Sequence, residues 1–413
     1  MTRSRTLVLA VVLLVVGIGS GIGIGLVVSG QMGAPIGAVT SPSADASQTQ
    51  APTADPSQDP GTPSPEPTAS PSPTPTPEPT PTPGPSLYPA ILDGVPVIEK
   101  VATRHVIAVM IDDQSAARPQ SGLSQASVVW QAPAEGGIPR YMALFHEGNA
   151  PAIGPIRSSR LYFVAWAAEW NAVYVHAGGS AEAIAYLATS AGRGEQVWNG
   201  DGLRSSGQAY VWRISSRFAP HNLYSDGKHL RAMGSRLGAK AYEEIPTPVW
   251  TFEADPVLED RLAGAKLSVP YPANLIQYVY DRKRNAWNRS VTGEGKQVDA
   301  GTDVRIAPKN VVVMYVPFLP TGDKKHHLDG QVTGSGVALF AVNGQIVKGT
   351  WSKKSFAAHT FFFGPDGKPM VFAIGQTFIQ VVPKGTTVTW NQGKVAPSPT
   401  PTPNPSATPT PAP

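Results

Sequence analysis

The sequence predicts an α+β fold: an α/β-type N-terminal domain and a mainly antiparallel β C-terminal domain, behind a single transmembrane helix. Three observations lead to this prediction. An uncharged apolar stretch occupies residues 7–28, short apolar runs alternate with helical patterns between residues 104 and 238, and β-branched or aromatic runs follow residue 246. Alternating strands and helices are typical of an α/β layer, and short strands joined by turns are typical of antiparallel sheets.

The apolar stretch matches a membrane in length. As a helix, 22 residues span ~33 Å, against a hydrocarbon core of ~30 Å. Arg3 and Arg5 precede it and no Lys or Arg follows until Lys100, so the positive-inside rule places the N-terminus in the cytoplasm and the rest outside. A cleaved signal peptide is the alternative interpretation. Glycines at every fourth position (Gly17, Gly21) favour a homodimer through this helix, unless they are merely small apolar residues.

Proline usage sets the remaining boundaries. The chain has 43 prolines in 413 residues, concentrated in two segments that contain almost no apolar bulk and so cannot form a core. The predicted segments are a cytoplasmic N-terminus (1–6), a transmembrane helix (7–28), a Pro/Thr/Ser-rich disordered stalk (29–86), the α/β-type domain (87–245), the β-rich domain (246–396) and a Pro/Thr-rich disordered tail (397–413). A polyproline II stalk holds the folded part away from the membrane.

Composition also excludes several classes of protein. The chain has no cysteine, which excludes disulfides, thiolate metal sites and the lipid-attachment thiol of bacterial lipoproteins. Its formal charge of +4 is mild and its basic residues are scattered, so no nucleic-acid partner is predicted. No metal-ligand spacing is present, and the sequence predicts neither a metal site nor a cofactor.

Polar residues cluster where the first predicted strands end. The predicted strands are 106–111, 127–131, 141–145 and 172–175, and the predicted helices are 159–169, 181–189 and 225–237. Ligands of open α/β sheets bind at the carboxyl ends of strands. The candidate catalytic residues there are Asp112, Glu135, His176 and His221, and the candidate binding residues are Arg118, Arg140, Arg157, Ser158, Arg160, Ser180 and Asn222.

Several motifs in this region resemble the DUF3048 family of bacterial envelope proteins. They are Ile111-Asp112, residues 117–123, Glu135-Gly-Gly, residues 153–160, residues 175–180 and residues 219–224, joined by Gly334-Ser-Gly336 and residues 349–353 further on. The resemblance implies an N-terminal α/β-type domain, a smaller C-terminal domain and an extracytoplasmic location. The missing lipid-attachment cysteine departs from the lipoproteins of this group and favours a transmembrane tether. No established reaction comes with the family, so no catalytic residue is carried over.

The arginines and histidines each have two interpretations. Arg157 and Arg160, placed on a first helical turn with serines between them, form a clamp for phosphate or carboxylate groups, together with Arg118 and Arg140. The alternative is that the arginines pair with Asp112, Asp113, Glu135 or Glu169 as a structural network. His176 and His221 with carboxylates suit general acid–base chemistry, and the alternative is that each is a hydrogen-bonded structural histidine.

The sequence pattern of the second half predicts short strands. Predicted strands are 275–280, 311–316, 336–342, 360–363, 370–374 and 378–382, and Asn343-Gly344 and Asp366-Gly367 are two-residue hairpin signals. Trp351 stacks on a sugar ring or belongs to the core.

Three functions remain open from the sequence. The first is a non-catalytic module that binds an anionic cell-wall component or an envelope partner protein. The second is a cell-envelope hydrolase or transferase that uses the His, carboxylate and Arg cluster. The third is a scaffold dimerised through its glycine-rich helix.

Overall fold

The computed structural model describes residues 84–323 and 326–395. The predicted transmembrane helix (7–28), nearly all of the stalk and the tail (397–413) lie outside these residues. None of the helices that the structure describes has the length and apolar character needed to cross a bilayer. The described chain is mainly β with few helices, so the predicted mixture of α and β is present with less helix than an α/β layer usually has.

The first half of the chain contains most of the helices. Its elements are β1 (Leu87–Pro89), β2 (Pro96–Ile98), α1 (Glu99–Ala102), β3 (Ile107–Asp112), β4 (Val128–Glu135), β5 (Ile138–Phe145), α2 (Leu161–Ala168), β6 (Val173–His176), α3 (Ala181–Leu187), β7 (Trp198–Asp201), β8 (Trp212–Arg213), β9 (Leu223–Tyr224) and α4 (Gly227–Leu237). Local chemistry sets these bounds. The Asp226 side chain caps α4, and Gly238 ends it in the left-handed conformation, which glycine adopts without steric cost.

The second half is built almost entirely from strands. They are β10 (Thr251–Glu253), β11 (Lys266–Tyr271), β12 (Asn274–Asp281), β13 (Ala286–Val291), β14 (Gly295–Lys296), β15 (Asn310–Val316), β16 (Phe318–Pro320), β17 (Leu328–Gly330), β18 (Gly334–Val342), β19 (Gln345–Lys353), β20 (Thr360–Phe363), β21 (Val371–Ala373), β22 (Thr377–Pro383) and β23 (Thr389–Asn391).

One sheet of ten strands contains elements of both halves. Its order is β20-β19-β18-β15-β22-β4-β5-β3-β6-β7. The halves join where β22 pairs in parallel with β4, with Thr377 opposite Val128. Because β5 lies antiparallel between β3 and β4, these two strands run in the same direction. Strand β6 pairs in parallel with β3, and β7 pairs in parallel with β6, so β6 and β7 also run in this direction. The carboxyl ends of β3, β4, β6 and β7 therefore meet at one edge of the sheet.

A second sheet of five antiparallel strands packs over part of the first. Its order is β14-β13-β12-β11-β23, and its apolar residues, among them Trp287, belong to the same core as Val313 of β15 and Leu339 of β18. On the other face of the large sheet lies a core that includes the stacked Trp130 and Trp166 rings, 4.4 Å apart. Both faces of the central strands are thus covered.

The two predicted hairpins have different outcomes. Asn343-Gly344 is confirmed as a two-residue turn between β18 and β19, because Val342 pairs with Gln345. Asp366-Gly367 instead lies in a longer turn, closed by Gly364 and Lys368. After this turn Pro369 and Met370 pair briefly with Phe363 and Phe362 of β20, and β21 then pairs with β10.

Candidate functional site

Four strand ends bring the candidate residues together at one edge of the large sheet. Asp112 ends β3, Glu135 ends β4 and His176 ends β6, while Arg140 lies near the start of β5 directly opposite Asp112. The segment of residues 153–160 crosses this edge and is held by isolated bridges, including Ile111 with Ile156 and Ser159 with Gly179. The sheet topology therefore assembles residues that are widely separated in sequence.

Asp112 is the meeting point of a histidine and an arginine. Its Oδ2 atom lies 2.7 Å from His221 Nδ1 and 3.0 Å from Arg157 Nε. The contact with Arg157 is an ion pair without hydrogen-bond geometry. The Asp112 side chain is buried, whereas those of Arg157 and His221 are 22% and 14% exposed. His221 Nε2 has no hydrogen-bond partner among the described residues, so this atom is available to a ligand.

Glu135 is held by two arginines. Its Oε1 accepts a hydrogen bond from Arg140 Nη2 and its Oε2 accepts one from Arg160 Nη2. Arg160 also donates from Nη1 to the Ser159 carbonyl oxygen at 2.6 Å. Both guanidinium groups are almost fully buried, and the Glu135 side chain is 27% exposed. A carboxylate in this arrangement fixes the positions of both arginines.

The cluster of Asp112, Glu135, Arg140, Arg157 and Arg160, hereafter the arginine cluster, carries surplus positive charge. Three guanidinium groups face two carboxylates. Four buried nitrogens of the cluster have no hydrogen-bond acceptor among the described residues: Arg140 Nε, Arg140 Nη1, Arg157 Nε and Arg160 Nε. A buried donor without an acceptor costs ~1–3 kcal/mol. An anion at this cluster would supply the missing hydrogen-bond acceptors and balance the excess positive charge.

Burial also acts on the charge of Arg157. Desolvation lowers the pKa of this guanidinium below its ordinary value, and the nearby Arg140 and Arg160 lower it further, against the opposing effect of Asp112. The positively charged form is thus less stabilised here than in water. A negatively charged ligand would stabilise the positively charged form of Arg157 and so oppose the lowering of its pKa.

Arg118 lies in a separate ion-pair network around Asp113. It donates from Nε and Nη2 to Asp113 Oδ1 at 3.0 and 2.9 Å, and it also pairs with Glu294. Asp113 Oδ2 accepts from Gln131, whose own Oε1 accepts from Arg289 Nη2 at 2.7 Å. Burial raises the pKa of Asp113 despite the two arginines. This network joins the two sheets.

Sequence reasoning missed Gln131 and Arg289 in that network. Arg289 is fully buried on β13, with Nε donating to Tyr278 and the guanidinium 5.5 Å from the centroid of the Tyr141 ring. An arginine within a strand-like pattern gives no local signal of burial, since its partners come from the other half of the chain.

His176 is closed in by its neighbours. Its Nδ1 lies 2.8 Å from the Gly178 carbonyl oxygen and its Nε2 lies 2.8 Å from Asn199 Oδ1. The ring is fully buried. His176, His221 and Glu135 are therefore engaged in three different sets of contacts, and the structure places none of the three in a hydrogen bond with another.

Two of the remaining candidate residues, Ser180 and Asn222, have structural partners. The Ser180 hydroxyl caps helix α3 by accepting from the Ala183 amide. Asn222 accepts from Arg213 at 2.6 Å and donates to the Ile214 carbonyl oxygen, which closes the loop before β9. Ser158 is half-buried beside Arg157.

The expectation that Arg157 and Arg160 share a first helical turn is wrong. Helix α2 begins at Leu161, with Arg160 as its N-cap residue. The amides of Arg157 and Ser159 donate instead to the carbonyl oxygens of Met110 and Gly178, because the segment runs as an extended strand partner. Those two amides are thus unavailable to an anion.

Trp351 belongs to the core, which decides between its two interpretations. It is 1% exposed and donates from Nε1 to the Tyr315 carbonyl oxygen at 3.0 Å. Across residues 84–323 and 326–395, no three His, Cys, Asp or Glu side chains are grouped as metal ligands.

Comparisons with known proteins agree with the sequence motifs. The profile of the N-terminal domain of DUF3048, described as a protein of unknown function, matches residues 92–240, and that of the DUF3048 C-terminal domain matches residues 267–379. YerB of Bacillus subtilis strain 168, named as a candidate lipoprotein, is 28% identical over 311 residues, covering 73% of this chain and 88% of YerB. The crystal structure of YerB superposes with a TM-score of 0.64 at 26% identity, covering 73% of this chain and 99% of that chain.

Proposed function

Since the chain belongs to the DUF3048 family, with both family domains present in order, we propose that it is an envelope-associated protein that binds an anionic group of a cell-wall polymer or of an envelope partner protein. The arginine cluster is the proposed binding site. The observation that carries the proposal is the set of three buried Arg140 and Arg160 nitrogens that have no acceptor among the described residues. Carboxylate and phosphate groups are the ligands that guanidinium groups bind best.

The alternative interpretation, that the arginines form a structural ion-pair network, bears directly on this proposal. Each arginine does have a carboxylate partner, as a structural network requires. Such a network, however, would be expected to satisfy its buried donors and to balance its charge. Arg157 is the member that both faces solvent and keeps a single carboxylate partner, so it is the residue through which a ligand enters.

Retention on isolated cell-wall sacculi tests the proposal. The full chain, purified in detergent, is sedimented with sacculi, and Arg157→Ala is compared with Arg204→Ala. Arg204 is a matched control, because its Nε also pairs with the Oδ2 of a buried aspartate, Asp201, at 3.3 Å. We expect Arg157→Ala to lose most of its retention, Arg204→Ala to keep it, and inorganic phosphate to compete with sacculi for the wild type. Equal retention of both variants would contradict the proposal.

The proposed topology follows from the N-terminal residues. The stretch 7–28 anchors the protein in the cell membrane as a single-pass helix with a cytoplasmic N-terminus, and residues 84–395 lie outside the cytoplasm. The glycine-spaced helix joins two copies as a homodimer. Protease added to intact cells should digest residues 84–395. Digestion only after lysis would show the opposite orientation.

A hydrolase or transferase is the second candidate function. The observation in its favour is the Asp112–His221 pair, in which the carboxylate orients the imidazole and leaves Nε2 without a partner among the described residues. Against it, Glu135 and His176 are held by other groups. Hydrolysis of p-nitrophenyl phosphate and p-nitrophenyl acetate by wild type and His221→Gln tests this function. Release no faster than in buffer, or unchanged in the variant, would count against it.

A further inference from the structure

A concave site lies among strands of the C-terminal half. It is a cavity of about 440 Å³, within the range of ~300–1,000 Å³ that is usual for small-molecule sites. It opens beyond the carboxyl ends of β15 and β22, between β18, β19 and the edge strand β23. The lining residues used below are Tyr315, Val337, Leu339, Lys348, Lys384 and Trp390. None of them belongs to the arginine cluster.

Trp390 gives this cavity an open aromatic face. It lies on β23, which pairs on one side only, with β11, and its side chain is 45% exposed. Val337 beside it is 39% exposed, while Leu339 forms a buried floor. The exposed indole face, next to other apolar side chains of the cavity, is free to stack against a ligand.

The cavity lining at Gly336 is tightly packed. Gly336 lies against the buried Trp351: a Cβ atom at position 336 would come within 2.6 Å of Trp351 Nε1 and 3.0 Å of the Tyr315 carbonyl oxygen. Trp351 Nε1 donates to that same oxygen. Only glycine fits there, so the shape of the wall is fixed by packing rather than by a flexible loop.

Two lysines supply charge without a counter-charge. Lys348 and Lys384 both line the cavity, both are exposed, and neither forms an ion pair with any residue between 84 and 395 that the structure describes. No Asp, Glu, Asn or Gln lines the cavity. The amide of Lys384 donates to the Val316 carbonyl oxygen, which holds its turn against the end of β15.

We propose that this cavity binds a saccharide ring that carries a carboxylate or phosphate group. The apolar face of the ring packs on Trp390 and Val337, and the acidic substituent pairs with Lys348 and Lys384. The site is independent of the anion binding proposed for the arginine cluster.

Titration calorimetry with two matched probes tests this site. The probes are a glucuronic acid tetrasaccharide and a neutral glucose tetrasaccharide, added to the full chain in detergent. The variants are Trp390→Ala and Lys348→Ala/Lys384→Ala. Their controls are Trp212→Ala, which removes another tryptophan that is 40% exposed, and Lys228→Ala/Lys283→Ala, which removes two exposed lysines elsewhere.

We expect the acidic probe to bind and Trp390→Ala to weaken its binding about tenfold or more, as loss of a stacking face does. The double lysine variant should weaken the acidic probe and abolish the preference over the neutral one, and both controls should bind as wild type. Absence of binding to the wild type, or equal weakening in the control variants, overturns the proposal. Unchanged binding in Arg157→Ala shows that the cavity acts independently of the arginine cluster.

Discussion

Glu169 Oε1 and Lys353 Nζ form an ion pair of 2.8 Å whose two side chains are fully buried. It joins the end of helix α2 to strand β19, elements that lie 184 residues apart. Thr360 adds two hydrogen bonds to the same carboxylate, from its amide at 3.0 Å and its hydroxyl at 2.6 Å. Burial raises the pKa of Glu169 and lowers that of Lys353, while each residue opposes the effect on the other.

Removing one partner of this pair should destabilise the fold strongly. Lys353→Met leaves a carboxylate buried with its charge unpaired, and we expect the free energy of unfolding to fall by about 3–5 kcal/mol. Urea denaturation of the variant measures it. The double variant Glu169→Gln/Lys353→Met should lose less than Lys353→Met alone, since no unpaired charge remains. A larger loss in the double variant would contradict this account.

The pH dependence of stability should contain a contribution from Asp93. Burial first, and Glu147 second, raise the pKa of Asp93 from 3.8 to about 8. Between these values the folded protein keeps a proton that the unfolded chain has released, so the free energy of unfolding falls as pH rises from about 4 to about 8. Thermal unfolding across this range measures the slope. Asp93→Asn should flatten it, and Asp366→Asn, at an exposed site, should not.

Two glycines in left-handed turns, Gly344 and Gly367, allow the cost of backbone strain to be distinguished from the cost of overpacking. A Cβ atom on Gly344 would come within 2.5 Å of the Tyr280 ring, whereas one on Gly367 would meet nothing within 4 Å. Both residues have positive φ, near +78° and +75°, so alanine costs ~1–2 kcal/mol at either position. Gly344→Ala should cost ~1–3 kcal/mol more, from overpacking. Equal melting temperatures for the two variants would argue against the close packing at Gly344.

Arg289 should be essential for joining the two sheets. Arg289→Leu removes the donor to Gln131 Oε1 and the positive charge nearest to Asp113 on that side. We expect a loss of about 3–5 kcal/mol in the free energy of unfolding, because a buried carboxylate loses one of its two countercharges. Arg236→Leu on the exposed face of α4 should change it by less than about 0.5 kcal/mol. Guanidinium chloride denaturation of both variants gives the comparison.

Local patterns predicted several of the elements but not their partners, and they missed β11, β13 and β19. Strand β15 and helix α4 were expected within two residues of their observed bounds, since apolar periodicity and caps are local properties. That β22 pairs with β4 has no local signature, because the two strands are separated by more than 240 residues. The shared sheet was therefore not predicted.

In the candidate site too, local patterns predicted the position of a residue but not its partners. Asp112 lies at the sheet edge because it ends β3. The sequence predicts this position, since an apolar run stops there at a carboxylate. The partner of Asp112, His221, comes from a loop 109 residues away, and its role depended on tertiary structure. The extended conformation of Arg157 was missed because the bridges that hold residues 153–160 are all long-range.

The pairing of β22 with β4 has a consequence for how the chain is made. A ribosome releases β4 long before β22, so one edge of β4 has no strand to pair with until residues 377–383 have emerged. An unpaired edge recruits other strands. During synthesis, the N-terminal half therefore depends on a late segment to cover this edge, and a chain that stops before Thr377 would be expected to aggregate rather than persist as a shorter protein.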